Sequence, residues 1–153
     1  TKTSLNRAVM VKRNYTGMQV QYFAGHFKTV KDLPAAALTG KWNQPGIEVD
    51  AKQATAGSFG LRYNGVITVP ESGIYTFYLT ADDGAVLTID HKTVVDNDGL
   101  HSAIEKNGQI ALEKGHHFFN LDFIEGGGGY KLQLEYSGPG STTPQPVTAD
   151  MLK

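Results

Sequence analysis

Along the middle of the chain, apolar and polar residues alternate in short runs broken by glycine. The clearest run is 74–80. There Tyr75, Phe77 and Leu79 share one side and Thr76, Tyr78 and Thr80 the other, which is the two-residue period of a half-buried strand. Residues 18–23 alternate in the same way and predict the first core strand. Further strands are expected at 59–69, 85–90, 92–95, 108–112, 117–124 and 130–136. Within them Leu87 and Ile89 point inward. His117, Phe119, Leu121 and Phe123 oppose Phe118, Asn120, Asp122 and Ile124, and Leu132 and Leu134 lie on the inner side of the last run. Between the runs stand Asn64-Gly65, Ser72-Gly73, Asp83-Gly84, Asp98-Gly99, Asn107-Gly108 and Lys114-Gly115. Short strands at regular spacing with such turn signals specify an all-β fold, a twisted antiparallel β-sandwich with long loops and little helix.

The ends read differently. Residues 1–16 alternate weakly and are basic through Lys2, Arg7, Lys12 and Arg13, as expected of a leader, a linker or an edge strand. Residues 17–152 then form one domain. The stretch 26–57 is expected to be irregular, with a short helical candidate at 34–38 and the lone Trp42. Residues 137–146 hold three of the six prolines and predict an extended tail. The chain opens at Thr1 with neither an initiator Met nor an apolar signal segment, as expected of an excised piece whose targeting signal, if any, lies outside it.

Composition narrows the function classes. With 153 residues, 40% apolar and 19% charged, the chain is neither disordered nor a coiled coil. A net charge of -1 gives no case for nucleic acid. No apolar run approaches the roughly 18 residues that a membrane-spanning helix needs, so no membrane insertion is expected. The absence of cysteine removes disulfides, thiolate metal sites and cysteine nucleophiles.

Three loops gather hard oxygen donors: Asp82-Asp83-Gly84, Asp96-Asn97-Asp98-Gly99, and Glu125 with the glycines 126–129. Converging carboxylates suit Ca²⁺, which takes six to eight oxygens. The same residues also make ordinary turns, because Asp and Asn bond their own backbone and tolerate positive φ. The residue types leave both readings open. An EF-hand is excluded, since the twelfth position from Asp96 is Asn107 rather than Glu. A glycosidase pair at Asp82 and Asp83 is disfavoured, because neighbouring strand residues point apart and catalytic carboxyls stand roughly 5–9.5 Å from each other across a substrate. The four-glycine run opens a strand, not a helix, and is no phosphate cradle. His116 and His117 project to opposite faces and cannot share a metal. His91 is expected beside a turn in solvent, and His101 is expected to bond within its own loop or pack there rather than ligate a metal. No serine carries the surroundings of a nucleophile. The residues alone describe an all-β binding module and no enzyme.

The ordered series Gly60-Leu61-Arg62-Tyr63 … Val69-Pro70-Glu71-Ser72-Gly73-Ile74-Tyr75, Asp82-Asp83-Gly84-Ala85 … Ile89-Asp90 and Val95-Asp96-Asn97-Asp98-Gly99 strongly resembles the PA14 domain, the module named after anthrax protective antigen. The segments around 17–27 and 123–136 look like that family's first and last strands, and 146–152 like its closing tail. The resemblance implies a β-sandwich inserted in or appended to exported proteins. It is closest to modules of bacterial glycoside hydrolases, β-N-acetylhexosaminidase and β-glucosidase types in particular. In the sugar-binding adhesins of the family, two adjacent aspartates hold a Ca²⁺ that engages vicinal sugar hydroxyls. Asp82 and Asp83 match that pair. Those adhesins add an Asn from a late loop, and here that loop carries Glu125 instead. The expected ligand set is therefore Asp82, Asp83 and Glu125 for Ca²⁺, with Trp42 or Tyr130 as the aromatic that stacks on the sugar, core cover being the other role open to Trp42. Two non-catalytic roles follow: a glycan-binding accessory module, or a structural module packing on the parent's catalytic domain and shaping its cleft.

Overall fold

Two antiparallel sheets face each other across one apolar core in the computed structural model, which describes residues 4–11, 17–50 and 57–153. Among these residues the strands are β1 Met18–Ala24, β2 Gly40–Gln44, β3 Phe59–Val69, β4 Gly73–Asp82, β5 Gly84–Ile89, β6 Lys92–Asn97, β7 Ile104–Leu112, β8 Gly115–Glu125, β9 Lys131–Ser137 and β10 Gln145–Pro146. One sheet runs β2-β1-β3-β8-β5-β6 and the other β10-β9-β4-β7. Lys2, Lys12 and Arg13 of the basic leader lie outside the described residues.

The alternation seen in the sequence is the packing. Tyr75, Phe77 and Leu79 from β4 meet Phe119, Leu121 and Phe123 from β8, with Leu87 and Ile89 beside them, and all are buried. Burying each such side chain stabilises the fold by roughly 1.5–3 kcal/mol before conformational entropy is counted. His117, on the inward side, is fully buried. Its Nδ1 faces Asp90 Oδ2 at 2.6 Å and its Nε2 faces the Glu113 carbonyl at 2.7 Å. His116 faces the other way, onto Thr68 Oγ1 at 2.7 Å.

Three sequence expectations need correction. Residues 40–44 are not irregular: they form an edge strand, Gly40–Gln44, against β1, and half-buried residues there mask the alternation. The helical turn is not at 34–38 but at Val30–Ala35, because Thr29 caps it from the front and the Ala36 N–H closes it on the Leu33 carbonyl. Strand β7 starts at Ile104, four residues before the expected 108. It is the edge of its sheet, so Ile104, Glu105, Lys106 and Asn107 are exposed and show no buried face to read.

The 3-10 turn covers part of the outer face of the six-stranded sheet. Val30 and Leu33 pack there on Phe23 and Ile124 as a small second core. Gly60 makes room, since a Cβ on it would stand 2.4 Å from Leu33 Cδ2.

Both ends of the described chain are strapped to the strands. Asn6 N–H donates to the Ala111 carbonyl and Val9 N–H to the His116 carbonyl, each at 2.8 Å. The last residues cross from one sheet to the other. Val147 N–H bonds the Leu134 carbonyl on β9, Leu152 bridges to Ile67 on β3, and Lys153 exchanges two backbone hydrogen bonds with Val66.

Candidate functional site

Strand β4 of one sheet ends at Asp82, and strand β8 of the other ends at Glu125. The sandwich therefore delivers both to the same rim, where the turn into β5 adds Asp83. Carboxylate oxygens from Asp82, Asp83 and Glu125 lie within 4.8 Å of one another. The peptide bond between Asp82 and Asp83 is cis. Adjacent residues of a regular strand point apart, but these two converge with Glu125, contrary to the divergence expected of them.

Glu125 is only 1% exposed. Its Oε1 accepts the Gly127 N–H at 3.1 Å, while its Oε2 is buried with no hydrogen-bond partner. Such a group costs free energy unless something neutralises or coordinates it. Burial pushes the Glu125 carboxyl up to about 7, the Gly127 N–H opposes this, and the charge and side-chain hydrogen bond of Asp83 and the charge of Asp82 add to it. Asp82 is also raised, first by burial and then by its hydrogen bond and charge interaction with Asp83, while His101 pulls the other way. Among the described residues, no lysine or arginine comes within 4.0 Å of the three carboxylates.

The glycine loop closes over this cluster. A Cβ on Gly126 would lie 2.7 Å from Asp83 Oδ2 and 2.9 Å from Leu100 Cδ2, so only glycine lets the loop backbone approach the aspartate. Ser58 Oγ donates to the Gly126 carbonyl at 3.1 Å and holds the loop from below. The contributions of Ser58 and Leu100 are not visible in their own surroundings in the sequence. Gly126, next to Glu125, was the one available signal.

The other sequence candidates divide. Tyr130 is 41% exposed at the end of the glycine loop, and its neighbour Lys131 pairs with Asp82, so it belongs to the rim. Trp42 does not. It sits on β2, three strands from β8, opposite Val20, which lies four residues down β1 from the Ala24–Phe59–Glu125 level. Its ring packs toward the core against Tyr22, 6.2 Å between centroids, and its N–H donates to Gln44 Oε1 at 2.8 Å. Of the two roles open to Trp42, this placement favours core cover over sugar platform. The Asp96–Gly99 loop is structural too. Asp98 accepts hydrogen bonds from Thr29 Oγ1, the Val30 N–H and the Gly99 N–H, which ties down the 3-10 turn. The ring nitrogens of His101 face the Ser102 and Asn97 carbonyls at 2.8 and 2.9 Å.

An antiparallel sandwich that joins its two sheets at an acidic, glycine-covered rim defines a class of small β modules with a hard-oxygen site. The chain belongs to the PA14 domain family, whose model matches residues 6–149. Among solved structures it is similar to the PA14 domain of the MpAFP antifreeze protein, at TM-score 0.78 and 18% identity over 95% of each chain. It is similar to the PA14 sugar-binding domain from an RTX adhesin, at TM-score 0.74 and 17% identity over 90% of this chain and 97% of that one. An anti-sigma factor domain-containing protein from Clostridium clariflavum matches at TM-score 0.71 and 26% identity, over 90% of this chain but 46% of its own. The GH31 α-xylosidase from Xanthomonas citri matches at TM-score 0.59 and 17% identity, over 81% of this chain and only 14% of the enzyme. None of the curated proteins matches the chain.

Proposed function

We propose that this chain is a non-catalytic carbohydrate-binding module of an exported protein, a glycoside hydrolase in the first instance, and that it engages glycans with the help of Ca²⁺ at its acidic rim. The observation that carries this reading is the convergence of Asp82, Asp83 and the buried Glu125, whose Oε2 has no hydrogen-bond partner, with no lysine or arginine among the described residues within 4.0 Å of them. Three carboxylates form a donor set that fits Ca²⁺. Bound there, the ion supplies positive charge and coordination positions that vicinal hydroxyls can fill. The protein's own part is to set Asp83 against the Gly126 backbone and to offer Tyr130 as an apolar surface for a sugar ring. Likeness to a domain described as sugar-binding supports the glycan reading, and likeness to part of a glycoside hydrolase supports the host. The same partial match supports a second role, packing on the parent's catalytic domain and shaping its cleft without binding sugar.

Titration calorimetry with Ca²⁺ and simple glycans, on the chain and on Asp83→Ala, tests the first reading. Glycan binding in the millimolar to micromolar range, roughly -4 to -8 kcal/mol, is expected only with Ca²⁺ and only with Asp83. Ca²⁺ heat identical in both proteins, or no glycan heat under any condition, sinks it; the latter favours the packing role.

A further inference from the structure

The outer face of the six-stranded sheet is only partly covered. Beyond the Val30–Leu33 cover, β3, β8 and β5 carry an open cleft of about 640 Å³, within the roughly 300–1,000 Å³ span of small-molecule sites. Its floor is two cross-strand rows. Arg62 stands opposite Asp122, and Asn64, Asn120 and Thr88 lie side by side. Arg62 Nε donates to Asp122 Oδ1 at 2.9 Å, so the two charges cancel within the floor. The Asn120 side chain bonds Asp122, and its Oδ1 is buried without a hydrogen-bond partner. The wall is aromatic. Phe118 is 46% exposed, with the His91 ring 5.6 Å away at 38°. Asp90 fixes this wall from beneath, its Oδ1 accepting the Phe118 N–H at 3.0 Å and its Oδ2 meeting His117.

We propose that this cleft is a second binding site, for a neutral saccharide, which needs no metal ion. A charged ligand gains nothing from a floor whose cation and anion neutralise each other. A purely apolar ligand would strip water from Asn64, Thr88 and Asn120 and return no hydrogen bonds. A pyranose satisfies both constraints, because its C–H face lies on Phe118 while its hydroxyls donate and accept along the polar floor. The site is separate from the rim carboxylates and does not rest on the calcium reading.

The test is an amide-resolved NMR titration of the ¹⁵N-labelled chain in EDTA. The probes are methyl β-glucopyranoside, methyl β-galactopyranoside, N-acetylglucosamine and cellobiose. At least one sugar is expected to shift the Thr88, Phe118 and Asn120 amides with a millimolar Kd. Phe118→Ala and Asn120→Ala should each weaken that binding at least tenfold with the remaining spectrum preserved. The proposal is overturned if none of the four sugars moves these amides, or if the shifts persist in Phe118→Ala. It is also overturned if the same resonances broaden with protein concentration in sugar-free buffer, which would assign the face to a protein contact.

Discussion

Replacing Gly126 by alanine separates the rim's fold from its chemistry. The new methyl would stand 2.7 Å from Asp83 Oδ2 and 2.9 Å from Leu100 Cδ2. Leu100 is 44% exposed and free to swing aside, so the carboxylate is the group forced to move, by several tenths of an ångström. In chelator this costs little, since the moved carboxylate can solvate: we expect a stability change within about 1 kcal/mol. Displacing a supporting contact of a ligand typically weakens metal binding about 10–100-fold. Ca²⁺ at 100 times the wild-type Kd stabilises the wild-type fold by about 2.7 kcal/mol, and the variant by only about 1.4 to 0.4 kcal/mol. For a chain of this size the wild-type value is a thermal shift of roughly 5–11 °C, which the variant should mostly lose. Melting curves with EDTA and with Ca²⁺, run beside calorimetry, read both quantities. If Gly126→Ala binds Ca²⁺ like the wild type, Asp83 does not ligate from this position. If it loses more than 3 kcal/mol in EDTA, the contact is packing and not site geometry.

Because Glu125 is raised from 4.5 to about 7 and Asp82 is raised with it, the folded ion-free chain binds more protons than the unfolded one between those pH values. Its stability in the absence of metal should therefore fall as pH rises from about 4.5 to 7 and then level off, and Glu125→Gln should flatten much of that slope. A wild-type curve that rises through this window contradicts the assignment. By the same linkage Ca²⁺ binding at pH 7 should release protons, seen as an enthalpy that varies with the buffer's ionisation heat. Arg62→Leu strands the Asp122 carboxylate, which burial already holds above its usual range, and should cost about 2 kcal/mol in urea unfolding. The double variant with Asp122→Leu should recover most of this, and additive losses would show that the pair is not coupled. His91 sits at φ 64, where glycine carries no side-chain penalty, so His91→Gly should raise stability by about 1 kcal/mol while weakening any sugar bound beside Phe118. A lower melting temperature for that variant would mean that the His91–Phe118 contact outweighs the backbone term.

The sandwich was legible wherever a strand has one wet face and one dry. Tyr75-Thr76-Phe77-Tyr78-Leu79 and Phe119-Asn120-Leu121-Asp122-Phe123 declare their sides because every second residue meets the opposite sheet. Strand β2 and the start of β7 stayed hidden because an edge strand is solvated along much of its length, so Lys41 and Glu105 carry no periodic signal. The rim was half legible. Asp82, Asp83 and Glu125 were found as acidic loops, yet composition weighs them equally with Asp96 and Asp98. What separates them is partnership: Asp98 spends its oxygens on Thr29, Val30 and Gly99, whereas Glu125 keeps one buried and unmatched. Trp42 stayed open between platform and core cover because ring exposure depends on which way an edge strand turns, which its neighbours in sequence do not encode. The cleft around Asn120 was invisible for a related reason, since its floor is assembled only when β3, β8 and β5 lie in register.

The two straps have an architectural consequence. Asn6 and Val9 are tied near Ala111 and His116, and Lys153 is tied to Val66. On β3, Val66 lies seven residues from Phe59, the partner of Glu125, a span of roughly 23 Å. Polypeptide entering through the first strap and leaving through the last therefore does so at one pole, with the carboxylates at the other. Any neighbour spliced on at that pole, whatever its own fold, leaves the carboxylate rim pointing away from the joint, like the head of a lamp on its stem.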